Sequence, residues 1–400
     1  MLELVAVADV NVQAAVDNGL PRDLVGPDAA VAVRRKDVDV IVELMGGEEP
    51  ARSLIAEALQ AGKPVVTANK HVLAHHGAEL EAIARARGAA LRFEASVCGG
   101  TPVLDTISRG LAANLIHRVR GIVNGSTNLI LTEMARAGRS YEEVLADAQA
   151  RGYVERDPCS DIEGQDAANK LAILTRLCFG AWPEIGSIGM RPPSLRGDGA
   201  PGIAGITAPD VAGAAALNLA IRLVVTAAMS GTGEPAPELA GSVVTSAVPA
   251  NSPLGRTDGV LNRLEIDADP VGRVSFEGPG AGGPATSSAV LADLLEVARS
   301  GLSTWADLPP SDPQLVALAD DRATVRRPWF ICLPGVLPDE VPGRIADEIA
   351  APHRASVPSN RSRTWVAIQT RALPLDDVRR AIEPLVAADR DVPIYPVLTS

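Results

Sequence analysis

The sequence predicts an α/β protein: a doubly wound parallel sheet, then an α+β region, then a small α+β unit at the C-terminus. Three observations carry that prediction. Short apolar runs alternate with amphipathic helical patterns over the first ninety-odd residues, as parallel βαβ units require. The texture changes at Val97 to tight turns, helical stretches and paired strands. Strand and helix patterns return over 328–400, after a polar, Pro/Asp-rich stretch at 302–327 that reads as a linker.

The elements follow in order. Leu2–Asp9 and Val38–Glu43 read as strands, the second running into Leu44-Met45-Gly46-Gly47. Pro50–Ala61 is an amphipathic helix with Pro at its start and Gly62 after its end. Pro64–Thr67 is a strand, Lys70–Arg87 a helix and Ala89–Glu94 a strand. Cys98-Gly99-Gly100-Thr101-Pro102 is a tight turn, expected to lead into a helix reaching Ala112. A strand over Ile116–Val123 precedes a mainly helical stretch from Ser126 to Gly180. The apolar run Ala212–Ser230 reads as a buried helix, and Arg263–Ala268 and Gly272–Glu277 as strands. A loop, Gly278–Gly283, leads to a helix over Thr286–Arg299. In the tail, strands are expected at Phe330–Leu333, Thr364–Thr370 and Pro393–Leu398, and helices at Val341–Ala351 and Asp376–Ala387.

Composition narrows the function. With 46% hydrophobic and 22% charged residues, the 400-residue chain is globular. Its formal charge is 37 − 49 = −12, and no basic cluster exceeds Arg34-Arg35-Lys36. That argues against nucleic acid or an anionic membrane as the main partner. Asn218 and Arg222 break the longest apolar run, so no membrane span is expected. No basic flank and cleavage site follow Met1. Cys98, Cys159, Cys178 and Cys332 are scattered without a CxxC, which points to the reducing cytoplasm.

Of the 37 cationic residues four are lysines: Lys36, Lys63, Lys70 and Lys170. A chain this rich in Ala, Gly, Pro and Arg has drifted from Lys to Arg wherever either serves. A retained lysine is a candidate for chemistry that arginine cannot copy, because the ammonium releases a proton and the guanidinium does not.

Asp166 and Lys170 lie four apart in Asp161-Ile162-Glu163-Gly164-Gln165-Asp166-Ala167-Ala168-Asn169-Lys170. If Asp161 caps this helix, acid and amine share a face. One reading is a surface ion pair of roughly 0.3–0.5 kcal/mol. The other is a proton-transfer pair, favoured by the apolar neighbours Ala167, Ala168, Leu171 and Ile173. Thr67-Ala68-Asn69-Lys70 stands where a strand ends and a helix begins, the edge at which open parallel sheets bind ligands. Lys70 there opposes the helix dipole, so it is either a solvated helix start or a functional amine. Gly121 to Asn128 offers backbone donors to a polar ligand, or a plain helix cap by Ser126 or Thr127. His71, His75 and His76 crowd one helix without completing a metal-ligand set, so a solvated face is expected.

In this order, Thr67–Lys70, Gly121–Asn128, Gly152–Lys170 and Gly278–Gly283 resemble homoserine dehydrogenase, over residues 1 to about 300. The resemblance implies an incomplete Rossmann-type dinucleotide-binding domain at 1–95, with 280–300 returning to it. A substrate and dimerisation domain would follow at 96–279, a linker at 301–327 and a degenerate ACT-like domain at 328–400. It implies NAD(P)-dependent interconversion of L-homoserine and L-aspartate 4-semialdehyde, in threonine, methionine and isoleucine biosynthesis. Lys170, Lys70 and Asp166 match the catalytic positions; Glu155, Asp161 and Asp166 match those that hold the substrate. Gly46, Thr67, Lys70, Gly152 and Gly282 match cofactor positions. The turn from Glu94 to Thr101 matches a monovalent-cation loop for Na or K, with oxygens from Glu94, Val97, Gly99 and Thr101. A homodimer or homotetramer is implied. Pro338-Asp339-Glu340 and Pro342 depart from the ACT ligand loop, and Leu129 replaces a usual aromatic residue. The family's first strand and GxGxxG loop have no counterpart ahead of Leu2. The expectation is a coding start placed too late; the alternative is a truncated paralogue that binds an amino acid but not the dinucleotide. Asp9, with no Arg after it, suits the 2′-hydroxyl of NAD.

Overall fold

Strands and helices alternate from the N-terminus: β1 (Val7–Ala8), α1 (Val12–Asp17), β2 (Val25–Gly26), α2 (Ala29–Arg34), β3 (Ile41–Glu43), α3 (Ala51–Gln60), β4 (Val65–Thr67), α4 (Lys70–Arg87) and β5 (Leu91–Arg92). Next come β6 (Leu115–Ile122), α5 (Gly125–Ala137), α6 (Tyr141–Ala150), α7 (Cys159–Ile162), α8 (Gln165–Phe179), α9 (Ala208–Ala216), β7 (Leu219–Ser230) and β8 (Glu238–Pro249). The chain continues with α10 (Pro253–Arg256), β9 (Leu261–Asp269), β10 (Gly272–Pro279) and α11 (Gly283–Ser300). It closes with β11 (Trp329–Pro334), β12 (Ala346–Ala350), β13 (Trp365–Thr370), α12 (Leu375–Ile382) and β14 (Tyr395–Pro396). This computed structural model describes residues 2–155, 157–230, 238–305, 308–312, 314–320, 325–350 and 365–399. Two compact units emerge. The first is Met1–Ala113, Ala172–Trp182 and Ala281–Val316; the second is Asn114–Leu171, Pro183–Gly280 and Ala317–Ser400.

In the first unit β1 pairs in parallel with β2, and β3, β4 and β5 form a separate parallel sheet in that order. The strand expected over Leu2–Asp9 shrinks to Val7–Ala8, because β2 offers only Val25 and Gly26 to pair with. Helix α4 keeps its expected bounds for local reasons. Asn69 Oδ1 caps it by accepting from Val72 N, and Gly88 ends it at φ +63. Arg85 and Arg87 occupy its last turn, where the dipole favours cations. Leu73 and Leu80 are fully buried on its inner face, each contributing about 1.5–3 kcal/mol. Gly77 admits the Trp182 ring, which a Cβ there would meet at 2.4 Å.

The helix foreseen up to Ala112 is short in this unit: it opens at Leu104–Asp105 and ends in a wide turn, Thr106–Gly110. The Leu104 and Asp105 amides, which have no partner inside the helix at its first turn, donate to the Glu94 carboxylate at 2.9 and 2.8 Å. Residues 303–305, expected inside a linker, are packed. Thr304 N donates to Leu91 O, Phe93 N donates to Thr304 Oγ1, and Trp305 is buried against Phe93.

The second unit is built on an antiparallel sheet in the order β10-β9-β6-β7-β8. The helix expected over Ala212–Ser230 is two elements. α9 stops at Ala216, Asn218 turns the chain at φ +57, and β7 then pairs with β8 along its whole length. An apolar run does not distinguish buried helix from buried strand by periodicity, and Val224, Val225 and Thr226 favour the strand. A second sheet, β12-β13-β11-β14, packs on α12 through Ile331, Leu333, Val366, Ile368, Val378 and Ile382. The helix expected over Val341–Ala351 is instead β12, antiparallel to β13; Ala351 lies outside the described residues. Gly343 weakens a helix there, and the pairing with β13 fixes the strand. Of the expected strand Thr364–Thr370, Thr364 likewise lies outside the described residues. The C-terminal residues join the two sheets: Leu398 N donates to Ala247 O, and Arg120 Nη1 donates to Thr399 O.

Candidate active site

Lys170 and Asp166 stand on α8 with 9% and 5% of their surface exposed, so the pair is internal rather than a surface ion pair. Lys170 Nζ donates to Asp166 Oδ2 and to the carbonyl of Val123, both at 2.7 Å. An ammonium held by a carboxylate and a carbonyl in a desolvated site can exchange a proton with a bound alcohol. Asp161 does not cap α8, contrary to expectation. It lies in α7, and α8 begins at Gln165 after the left-handed Gly164. Asp161 nevertheless joins the cluster through Asn124, whose Nδ2 donates to Asp161 Oδ1 at 2.8 Å and to Asp166 Oδ2 at 2.9 Å.

Asn124 was not among the expected site residues. The cap of α5 is Asn124, accepting from Thr127 N, rather than Ser126 or Thr127. The signal was present in the sequence: Asn immediately after a strand and three residues before Thr127 is a favoured cap. Gly121 and Gly125 frame it where backbones approach closely. A Cβ at Gly121 would lie 2.3 Å from Arg263 O, and one at Gly125 2.9 Å from Val260 O.

A second constellation lies at the carboxyl edge of the β3-β4-β5 sheet. Gly46 and Gly47 follow β3 with φ of +75 and +72, and open space stands where their side chains would be. Buried Glu43 accepts from Thr67 Oγ1 at 2.6 Å and from Met45 N at 2.7 Å. Thr67 Oγ1 accepts from Asn69 N, and Asn69 Nδ2 donates to Gly47 O at 2.9 Å. This network fixes the Gly46–Gly47 turn beside the start of α4, where Lys70 is half-buried. Glu43 and Asn69 were also missed as site residues, because each looks like an ordinary strand end or cap. On the outer side, His76 and His71 meet Glu48 at 2.7 and 3.5 Å.

The turn expected to hold a monovalent cation runs from buried Glu94 through Val97, Cys98 and Gly99 to Thr101. Cys98 and Gly99 take φ of +55 and +38. Burial pushes the Glu94 carboxyl up to about 7, against the pull of the Leu104 and Asp105 amides. Thr101 N donates to Cys98 O, while the buried Thr101 hydroxyl finds no hydrogen-bond partner among the described residues. An unpaired hydroxyl oxygen in a carbonyl-rich turn is compatible with a hard cation.

The remaining expected residues are not drawn into these clusters. Glu155 is exposed, and its backbone oxygen accepts from Gln149. Gly152 closes α6 at φ +76, and Gly282 precedes α11 at φ +111 with open space around it. Asp9 is exposed after β1 and accepts from Asn11 N.

Two family models match the chain: "Homoserine dehydrogenase, NAD binding domain" over residues 1–94 and "Homoserine dehydrogenase" over residues 102–295. The homoserine dehydrogenase of Mycobacterium tuberculosis is 39% identical over 284 residues, covering 71% of this chain and 62% of that protein. The chain thus spans about three-fifths of that curated relative's length. The crystal structure of a homoserine dehydrogenase from Thiobacillus denitrificans superposes with a TM-score of 0.80 at 30% identity, covering 98% of this chain and 90% of that one. A hyperthermophilic archaeal homoserine dehydrogenase in complex with NADPH matches with a TM-score of 0.57 at 25% identity, over 72% of this chain and 82% of that one.

Proposed function

The chain belongs to the homoserine dehydrogenase family, and on that premise we propose that it interconverts L-homoserine and L-aspartate 4-semialdehyde with NAD(P). The observation that carries this reading is the buried Lys170, held between Asp166 and the Val123 carbonyl. When bound, NAD(P) supplies the hydride acceptor or donor at its nicotinamide ring. As the neutral amine, Lys170 takes the alcohol proton during oxidation and becomes the ammonium; as the ammonium, it returns that proton to the carbonyl oxygen during reduction. Arginine at this position would keep its proton. Asp166 orients the amine, and Asp161, Asp166 and Glu155 receive the substrate's ammonium group. Lys70 adds positive charge beside the cofactor edge.

The open, left-handed Gly46–Gly47 turn fits backbone approach by a dinucleotide, and Thr67, Lys70, Gly152 and Gly282 complete the proposed cofactor contacts. Asp9 at the end of β1 favours NAD over NADP. A Na or K ion at Glu94, Val97, Gly99 and Thr101 is supported by the unpaired Thr101 hydroxyl. The edge strand β10 supports assembly into a homodimer or homotetramer. The scattered cysteines support a cytoplasmic setting, and no described helix is long and apolar enough to cross a membrane. The domain limits foreseen at 1–95, 96–279 and 328–400 remain part of this reading.

The test is nicotinamide absorbance on mixing the purified chain with L-homoserine and either NAD or NADP. Homoserine-dependent reduction of one of them is expected. Absence of turnover with both, in a chain shown to be folded, overturns the proposal.

A further inference from the structure

Two consecutive residues just after β6 contact all three charged side chains of the Lys170 cluster described above. Val123 supplies the carbonyl for the amine, and Asn124 supplies the amide for both acids. We propose that Asn124 is the positioning residue that keeps Asp161 and Asp166 together as a paired anion for the ammonium group of an amino-acid substrate. This rests on the function proposed above.

The orientation of the Asn124 amide follows from its partners. Its oxygen accepts from Thr127 N at 2.9 Å and from Thr127 Oγ1 at 3.0 Å, at the cap of α5. The NH2 group therefore faces the acids, and it reaches one oxygen of each. Two carboxylates gathered around one nitrogen repel each other, and the repulsion favours protonating one of them. A neutral double donor between them opposes that without adding a counter-charge. A lysine or arginine in its place would neutralise the pair and weaken its attraction for a cationic ligand. The Asp166 oxygen that receives Asn124 also receives Lys170, so the amide fixes the carboxylate that aims the amine. Lys170 is further tied to Val123 on the same strand end. A single backbone segment thus sets the spacing between the ammonium pocket and the proton-exchanging amine. The site selects a substrate that carries an ammonium group at a fixed distance from its alcohol.

The experiment compares wild type with Asn124→Ser and Asn124→Asp. Ser and Asp both serve as helix caps, so α5 is retained; Ser loses the double donation and Asp adds a third acid. The KM for L-homoserine is expected to rise ~10–100-fold in Asn124→Ser and further in Asn124→Asp, with a smaller change in kcat and an unchanged KM for the dinucleotide. Four lysines make the ε-carbon NMR signals of isotope-labelled lysine separable, and Lys170→Arg assigns the relevant one. That signal should be displaced in both variants, because the Asp166 oxygen beside the ammonium loses the amide that fixes it. Wild-type KM together with a wild-type Lys170 signal in Asn124→Ser overturns the proposal. So does a loss of thermal stability with KM and signal unchanged, which marks a merely structural cap. If wild type does not turn over homoserine at all, the proposed function fails by itself. The Lys170 signal then still decides on Asn124: displaced, the positioning role stands; unmoved, it falls.

Discussion

Helix α8 carries two buried acid–base clusters, and they are built on different cations. Near its start Asp166 meets Lys170, Asn124 and, through Lys170, a carbonyl. Near its end Arg176 donates twice to Glu81, which also accepts from Trp182 Nε1, Arg85 and Ser311. Burial raises the Glu81 carboxyl, but the hydrogen bond and charge of Arg176, with Trp182 and Arg85, hold it at about 2. Glu81 is thereby a permanent anion facing a permanent cation. Such a pair can fix packing and cannot move a proton. The cluster at the start of the helix uses the one long cation that can. On the proposed function, the choice of amine over guanidinium separates chemistry from architecture in a chain with four lysines.

Replacing the amine tests that division most severely. Lys170→Ala should lower kcat by ~10²–10⁴, measured by steady-state turnover of homoserine, while the fold persists by circular dichroism. Lys170→Arg keeps the charge beside Asp166 and should be equally inactive. Turnover restored by arginine would remove the distinction between the two clusters.

At the other end of α8 the expected loss is of stability. Glu81→Gln leaves the fully buried Arg176 without its counter-charge, which costs about 3–5 kcal/mol, read from urea unfolding. A pH dependence accompanies it. The Glu81 carboxyl is depressed from its ordinary 4.5 to about 2 in the folded protein. Its contribution is therefore fully present above about 4.5 and is lost as pH falls toward 2. The Gln variant should lack that part of the acid limb. An unchanged acid limb would show that Arg176 is satisfied by other groups.

The lysine cluster was more legible in the sequence than the arginine one. Asp166 and Lys170 are four apart, so a helical period brings them together, and the scarcity of lysine marks them. Glu81 and Arg176 are ninety-five residues apart, and no local pattern joins them. Asn124 was legible as a cap after a strand, but its contacts with Asp161 and Asp166, 37 and 42 residues on, lie beyond any local window. The helix misread over Ala212–Ser230 belongs to the same class. Whether Val224 and Val225 face a helix or a sheet depends on β8, which lies beyond any local window. Local chemistry could be read; long-range pairing could not.

The smallest effect expected at the arginine cluster comes from a position that touches no charge. A Cβ on Gly77 would meet three atoms of the Trp182 ring at 2.4–2.6 Å. The ring cannot retreat freely, because its Nε1 is bonded to Glu81 Oε2. Gly77→Ala therefore costs about 1–3 kcal/mol by overpacking, despite the gain in helix propensity of roughly 1 kcal/mol that Ala brings. If the cost arises from pulling Trp182 away from Glu81, the variant and Glu81→Gln share one loss. The double variant should then be more stable than the sum of the single changes allows, by ~0.5 kcal/mol or more. Strict additivity in urea unfolding would instead separate the tryptophan's packing from the charge it caps, and confine the architectural cluster to the guanidinium and its carboxylate.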